Sequence, residues 1–399
     1  MTRTEPSVFS FDGFVSEKTL RAYLSRAVTM AIGYDDPVSP ERNGHRADFI
    51  LDIGAKYICR FGCVWGPCQK DWDTYPGQKA FIESLHEKDP DIVLEACLFE
   101  HVTPAVETLK IPRSTFEAFG LPYEDRHFSY PAMLNPSGDA TDFWYKGGSV
   151  PDITQLETQM FFYARACAYL DIGYEAFHMG QIYLIGRHDK ANGYPCYTRL
   201  CNMIRDYARV HARRHFVFLN AHIHGIIGTD GKLLLDFHMW PGRFHSDEPE
   251  PDAPMPASVQ KGRLDSLYGR SLGGLTHSGW SCDHLPYMIE IDNWGNKIED
   301  IGVPDNNNFT VWGYDEISWF ANQSDAYRAR FLKEVTEDLP SIDPEGYFAM
   351  PGERIAYIHE KGSKVKTGDT YYAYDPALFE KGCGDQKVIK QIWSERGVG

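Results

Sequence analysis

A few polar side chains break otherwise apolar runs of this sequence, and they gather where those runs end. Phe99-Glu100-His101 closes one run, His178-Met-Gly-Gln181 another, and Asn220-Ala-His222-Ile-His224 a third. Asp236-Phe-His238 and Glu290-Ile-Asp292-Asn293-Trp294 complete the set. Residues two apart on a strand point to the same side, so Asn220, His222 and His224 share a face. By the same rule Asp236 lies with His238, and Glu290 with Asp292. A single His or Asn at a strand end is usually a satisfied hydrogen-bond partner, and a single carboxylate can pair with an arginine such as Arg60 or Arg243. Carboxylates are almost never buried alone, however, so Glu290-x-Asp292 within an apolar run calls for a reason. Taken together the set predicts a polar active site.

Three chemistries fit those residue types. Cleavage of a glycosidic bond needs one carboxylic acid to protonate the leaving oxygen and a second carboxylate as nucleophile or base. A metal-dependent hydrolase or isomerase needs imidazoles and a carboxylate, which His222-x-His224 beside Asp236-x-His238 would supply to a divalent metal. A carbohydrate-binding protein without catalysis needs only hydrogen-bonding groups and aromatic faces, and 14% of the residues are aromatic. Dinucleotide, P-loop and serine-hydrolase motifs are absent. Cys59, Cys63 and Cys68 lack the second pair that a zinc site requires, so they read as free thiols.

Strand-like runs alternate with amphipathic helical stretches, the pattern of an α/β fold with a parallel sheet. Strands are predicted at 27–33, 56–62, 92–100, 174–182, 215–224, 233–239, 287–294 and 347–350. Ser16, Ser39-Pro40, Asp152, Ser324 and Asp385 are predicted helix starts. Eight strands with intervening helices define a single (β/α)8 (TIM) barrel over 1–399, with long βα loops near 101–151 and 243–286. One connection resists: Gly225 to Lys232 is too short for a helix, and Asp230-Gly231 is a hairpin signal. In such a barrel the site lies at the C-terminal strand ends. Glu95 and Glu175 fall earlier in their strands, away from it, and Asp315-Glu316 falls in a loop that reaches the site from behind.

At the level of architecture the chain resembles the barrel-type glycoside hydrolases, which carry carboxylates at the ends of strands four and seven. The resemblance implies a glycosidase with a carbohydrate substrate and no cofactor. It places the nucleophile or base at Asp292 or Glu290. Those enzymes have an Asn-Glu pair at the end of strand four, where this chain has His178-Met-Gly-Gln181, so the acid moves to Glu100 or Asp236. A carboxyl walled by Phe99, or by Phe237 and Trp240, would be desolvated and would keep its proton. His178, Gln181, Asn220, His222, His224 and His238 would then hold sugar hydroxyls, and Trp65, Trp240 and Trp294 would stack on the ring.

Composition narrows the partners. Lys and Arg number 40 and Asp and Glu 56, a formal charge of −16, which repels nucleic acid and anionic membrane surfaces. No run approaches the roughly 20 apolar residues of a membrane span, and the first residues lack the apolar core of a secretory signal. A cytoplasmic protein is expected, and its oligomeric state is not encoded in any motif.

Overall fold

The computed structural model describes residues 7–31, 40–248, 250, 256–260, 270–293, 315–359 and 366–397. Ten strands position the site. They are β1 (Ala27–Met30), β2 (Tyr57–Gly62), β3 (Val93–Cys97), β4 (Ala176–His178) and β5 (Phe218–Asn220), then β6 (His238–Pro241), β7 (Tyr287–Glu290), β8 (Gly346–Phe348), β9 (Met350–His359) and β10 (Lys366–Tyr372). One sheet runs β10-β9-β1-β2-β3-β4-β5 and a second runs β8-β7-β6. Every neighbouring pair in these two sheets is parallel except β9 with β10.

The two sheets meet at both of their ends. Only Ala349 separates β8 from β9, and its amide donates to the Ile289 carbonyl of β7. At the other end Asp236 N donates to Leu219 O (2.8 Å) and Met239 N to Ala221 O (3.3 Å), tying the approach to β6 onto β5. Side-chain alternation sorts the strands into two cores. Ala27, Tyr57, Val93, Ala176, Phe218, Met239, Met288 and Ala349 belong to one cluster. Their neighbours Val28, Ile58, Leu94, Phe177, Leu219, Trp240 and Ile289 belong to another, shared with the helices.

The helices start where polar caps allow. Ser16 accepts from Thr19 N ahead of Glu17–Leu24, and Ser324 accepts from Tyr327 N ahead of Asp325–Ile342. Asp152 does not cap the long helix as predicted. That helix begins at Leu156, while the Asp152 carboxylate holds Thr154 N and Asn135 in the preceding turn. The hairpin signal at Asp230-Gly231 is realised, as Gly228 N donates to Lys232 O and Ile227 bridges Leu233 antiparallel. It lies ahead of β6, which therefore starts at His238 and not at Leu233. The sequence also ended strand eight at Met350, whereas β9 continues to His359 and turns back antiparallel on β10. No helix among the described residues is long and apolar enough to cross a membrane.

Candidate active site

The site forms at the C-terminal ends of the parallel strands, around one arginine. β2 loses register between Ile58 and Gly62, and within that irregularity Arg60 adopts φ 57°, a left-handed conformation costly for a residue with a Cβ. The kink leaves Arg60 N donating to Glu95 Oε1 (2.9 Å) and its guanidinium buried against Glu290, Asp292 and His222. Arg60 pairs with Glu290 Oε1 and lies 3.7 Å from Asp292 Oδ1. Arg354, from β9, closes the other side: Nη1 donates to Glu290 Oε2 (2.9 Å), and Nη2 pairs with Asp292. Glu290 and Asp292 therefore do share a face, and two guanidinium groups supply the reason for their burial.

Charge and burial push the two carboxyls apart. Burial raises Glu290 to about 7 against the pull of Arg60. Burial also acts on Asp292, but Arg60 and Arg354 outweigh it and hold this carboxylate well below its usual range. Behind them, Glu316 accepts from Phe244 N and from Asp292 N, both at 3.3 Å, and burial lifts it to about 8. His222 Nε2 sits 2.7 Å from Arg60 Nη2. A guanidinium can only donate, so this nitrogen accepts and the ring is neutral. Burial, then the charge of Arg60, lowers His222 to about 3.

Beneath this cluster runs a fully buried chain of hydrogen bonds. Glu95 accepts from Tyr57 Oη (2.7 Å) and from Asn220 Nδ2 (2.5 Å), and Asn220 Oδ1 meets His178 Nδ1 at 2.7 Å. Because the Asn220 amide nitrogen is committed to a carboxylate, its oxygen must accept, which places a proton on His178 Nδ1. Glu95, set aside in the sequence, is thus the hub that ties β2, β3 and β5 together. Glu175 does lie apart from the site, on Arg213 and Arg214.

A cleft of about 730 Å³ opens over the cluster, lined by Gln181, His222, His224, Arg243, Asp292 and Asn293 with a wall of Ile223, Ile226, Ile227 and Leu272. That volume suits a small ligand. Glu100 stands behind Gln181, accepting from its backbone N (2.9 Å) and its Nε2 (2.7 Å), and burial raises its pKa.

Other predicted residues lie elsewhere. Asp236 holds Leu219 N (2.8 Å) and Arg205 (3.2 Å), fully buried where β5 meets the approach to β6. His238 is buried on Ser271, and burial lowers it to about 3. Asn220 ends β5 and is buried below the cleft, whereas His222 and the exposed His224 follow in irregular chain and both line it. Trp240 is 1% exposed and stacked on Tyr287 at 4.5 Å, so its ring belongs to the core and offers no face to a sugar. Trp65 is 45% exposed, stacked on His101 and edge-on to Trp144, outside the cleft lining. Trp294 lies outside the described residues.

The predicted metal group of His222, His224, Asp236 and His238 does not assemble. A different trio does, since His222, Glu290 and Asp292 bring ligand atoms within 4.8 Å of one another. Arg60 already reaches all three. A metal ion would have to displace a buried guanidinium, so this donor set fits a cation poorly. Sequence reasoning passed over Arg354, which lies just after Pro351 and Gly352, beyond the predicted end of strand eight.

Comparison of the sequence with protein-family profiles and with curated proteins returned no match. Among solved structures the fold is similar to a GH113 beta-1,4-mannanase, at 12% identity over 93% of this chain and 99% of that one, TM-score 0.44. It is similar to a Nostoc punctiforme debranching enzyme at 10% identity over 92% and 82% of the chains, TM-score 0.40. It is also similar to an alpha-galactosidase from Thermus thermophilus at 13% identity, TM-score 0.31, covering 52% of this chain and only 44% of that one.

Proposed function

We propose that this protein hydrolyses a glycosidic bond in the cleft above Arg60, on a scaffold whose two sheets act as one eight-stranded (β/α)8 barrel. The β5–β6 backbone hydrogen bonds, the continuity of β8 into β9, and the inner cluster drawing one residue or more from β1 through β7 support that closure. The observation that carries the function is Asp292. Of the four candidate carboxylates, it both lines the cleft and is held ionised by two arginines. Glu290 lies under it without exposure, and Asp236 serves the strand junction.

In this reading Asp292 either attacks the anomeric carbon, giving a glycosyl ester that water then cleaves, or takes a proton from the water that attacks that carbon, while Glu100 protonates the leaving oxygen as its bond to the sugar breaks. Burial raises the Glu100 pKa, the direction a general acid requires. Gln181 joins Glu100 to the cleft lining, and His222 and Asn293 stand beside Asp292 to orient hydroxyls. No cofactor enters the scheme.

Asp292→Asn and Glu100→Gln keep shape and remove ionisation. Each is expected to lower turnover of aryl glycosides by about a hundredfold or more, with circular dichroism confirming the fold. Wild-type rates in both variants would overturn the assignment. The competing reading, metal-assisted hydrolysis at His222, Glu290 and Asp292, would require an ion to displace Arg60 from all three. Stoichiometric metal in the purified protein, with turnover lost to a chelator, would put that reading first.

A further inference from the structure

We infer that Gln181 and Tyr183 form a latch over Glu100, which substrate must open before that carboxyl can act; this rests on the glycosidase reading and gives its acid two positioning residues. Glu100 is 3% exposed and stands behind the cleft wall, whereas Gln181 and Tyr183 both line the cleft. The backbone N of Gln181 donates to Glu100 Oε2 (2.9 Å) and its Nε2 donates to Oε1 (2.7 Å), so one residue takes both oxygens. A general acid must bring a carboxyl oxygen within about 3 Å of the leaving oxygen. Nε2 already stands that close, on a residue that lines the cleft, so the amide fills the approach a leaving group would need. An oxygen that accepts a hydrogen along one direction cannot donate a proton along it. The closed arrangement and proton delivery therefore exclude each other.

The two contacts on Glu100 are held with different firmness. The Oε2 contact comes from backbone, set by the left-handed turn at Gly180 (φ 59°) ahead of the short helix Ile182–Ile185. The Oε1 contact comes from a flexible side chain, half-buried at the cleft wall. Tyr183 restrains that side chain. Because Gln181 Nε2 is committed to a carboxylate, Gln181 Oε1 faces the other way and accepts from Tyr183 Oη at 2.6 Å. Tyr183 is 43% exposed, so a sugar hydroxyl entering the cleft can take over the Oη hydrogen bond. The amide then turns about its side-chain bonds and uncovers Glu100 Oε1, while Oε2 keeps its backbone anchor and the acid stays aimed. A closed latch lowers apparent affinity in proportion to the fraction of molecules that are open.

Kinetics with the aryl glycoside turned over fastest, together with carboxyl labelling of the whole protein, tests this. Tyr183→Phe keeps the ring and removes one hydrogen bond from the closed state. Its KM is expected to fall about two- to tenfold, with the change in KM rather than in kcat. A hydroxyl that merely binds sugar would give the opposite sign. Gln181→Ala, a truncation at a half-buried position, removes the cover outright. Labelling reads that cover without turnover: a water-soluble carbodiimide activates carboxyls, glycine ethyl ester captures them as amides, and mass spectrometry locates the sites. The reference is Glu83, whose side chain is 59% exposed. Against it, Glu100 is expected to label about tenfold faster in Gln181→Ala than in wild type, with Tyr183→Phe between them. Equal labelling of Glu100 in all three proteins overturns the latch, as does a KM that is unchanged or raised in Tyr183→Phe. Turnover of aryl glycosides with either of those results rejects the latch and upholds the glycosidase. No turnover by the wild type, with Glu100 uncovered in Gln181→Ala, does the reverse.

Discussion

Arg60 carries more of the site than any catalytic candidate does. It is a permanent cation with almost no exposure, in contact with Glu290, Asp292 and His222. Removing one partner of a buried ion cluster leaves the others desolvated and uncompensated, which costs about 3–5 kcal/mol. Arg60→Met is therefore expected to lose about that much stability in urea unfolding at neutral pH, together with activity. Arg60→Lys should recover part of the stability, because it restores the charge without the fork. A variant within roughly 0.5 kcal/mol of wild type would show that Arg354 alone suffices. At this scale the sequence was readable where chemistry forbids a bland environment. An i, i+2 pair of acids in an apolar strand demanded counter-charges, and Arg60 was among the arginines at hand. It was not readable for Trp240, since an aromatic at a strand end looks the same whether it faces ligand or core. Asp236 was equally ambiguous, because a buried acid that organises a strand junction has the same local pattern as a buried general acid.

The turn after β4 shows how an element constrains a side chain. Gly180 has φ 59°, and a Cβ at that position would stand 2.0 Å from Glu100 Oε2. Gly180→Ala therefore has two effects. It places an L residue in a left-handed conformation at about 1–2 kcal/mol, and it drives the Glu100 carboxyl off Gln181. The expected outcome is a loss of turnover comparable to that of Glu100→Gln, with a thermal midpoint lowered by only a few degrees and an unchanged circular dichroism spectrum. Full activity in Gly180→Ala would mean that Glu100 acts from another position or not at all. Strand and helix alternation was legible, as were Ser16 and Ser324 as caps, because these depend on nearest neighbours. The β9–β10 hairpin was not. The predicted strand covered only 347–350, and Pro351 and Gly352 beyond it fall where the pairing of β9 with β1 shifts register between Thr29 and Met30. Irregularities of that kind absorb a proline within a continuing strand.

At the scale of the whole molecule, the site places ionisable groups where water cannot reach them, and pH then becomes a probe of the fold. The clearest case is Glu316, raised by burial from an ordinary value of 4.5 to about 8. In that interval the folded protein keeps a proton that the unfolded chain has already released. Stability from this group is thus complete below about pH 4.5 and drains away as pH rises through about 8. Glu290, raised to about 7, acts in the same direction. His222 acts oppositely: its folded value of about 3 lies below that of a free imidazole, so its contribution is lost as pH falls. These effects overlap in a single melting curve, and a difference between two proteins separates them. Glu316→Gln has no carboxyl to ionise, while every histidine and Glu290 remain in both chains. Its melting temperature minus that of the wild type should therefore climb steadily from about pH 5 to about pH 8. The variant starts at a disadvantage, because an amide has one acceptor oxygen to offer and both Phe244 N and Asp292 N must be satisfied. Differential scanning calorimetry over that range, at low ionic strength, gives the difference directly. An offset that stays flat with pH would show that Glu316 is ionised throughout this range.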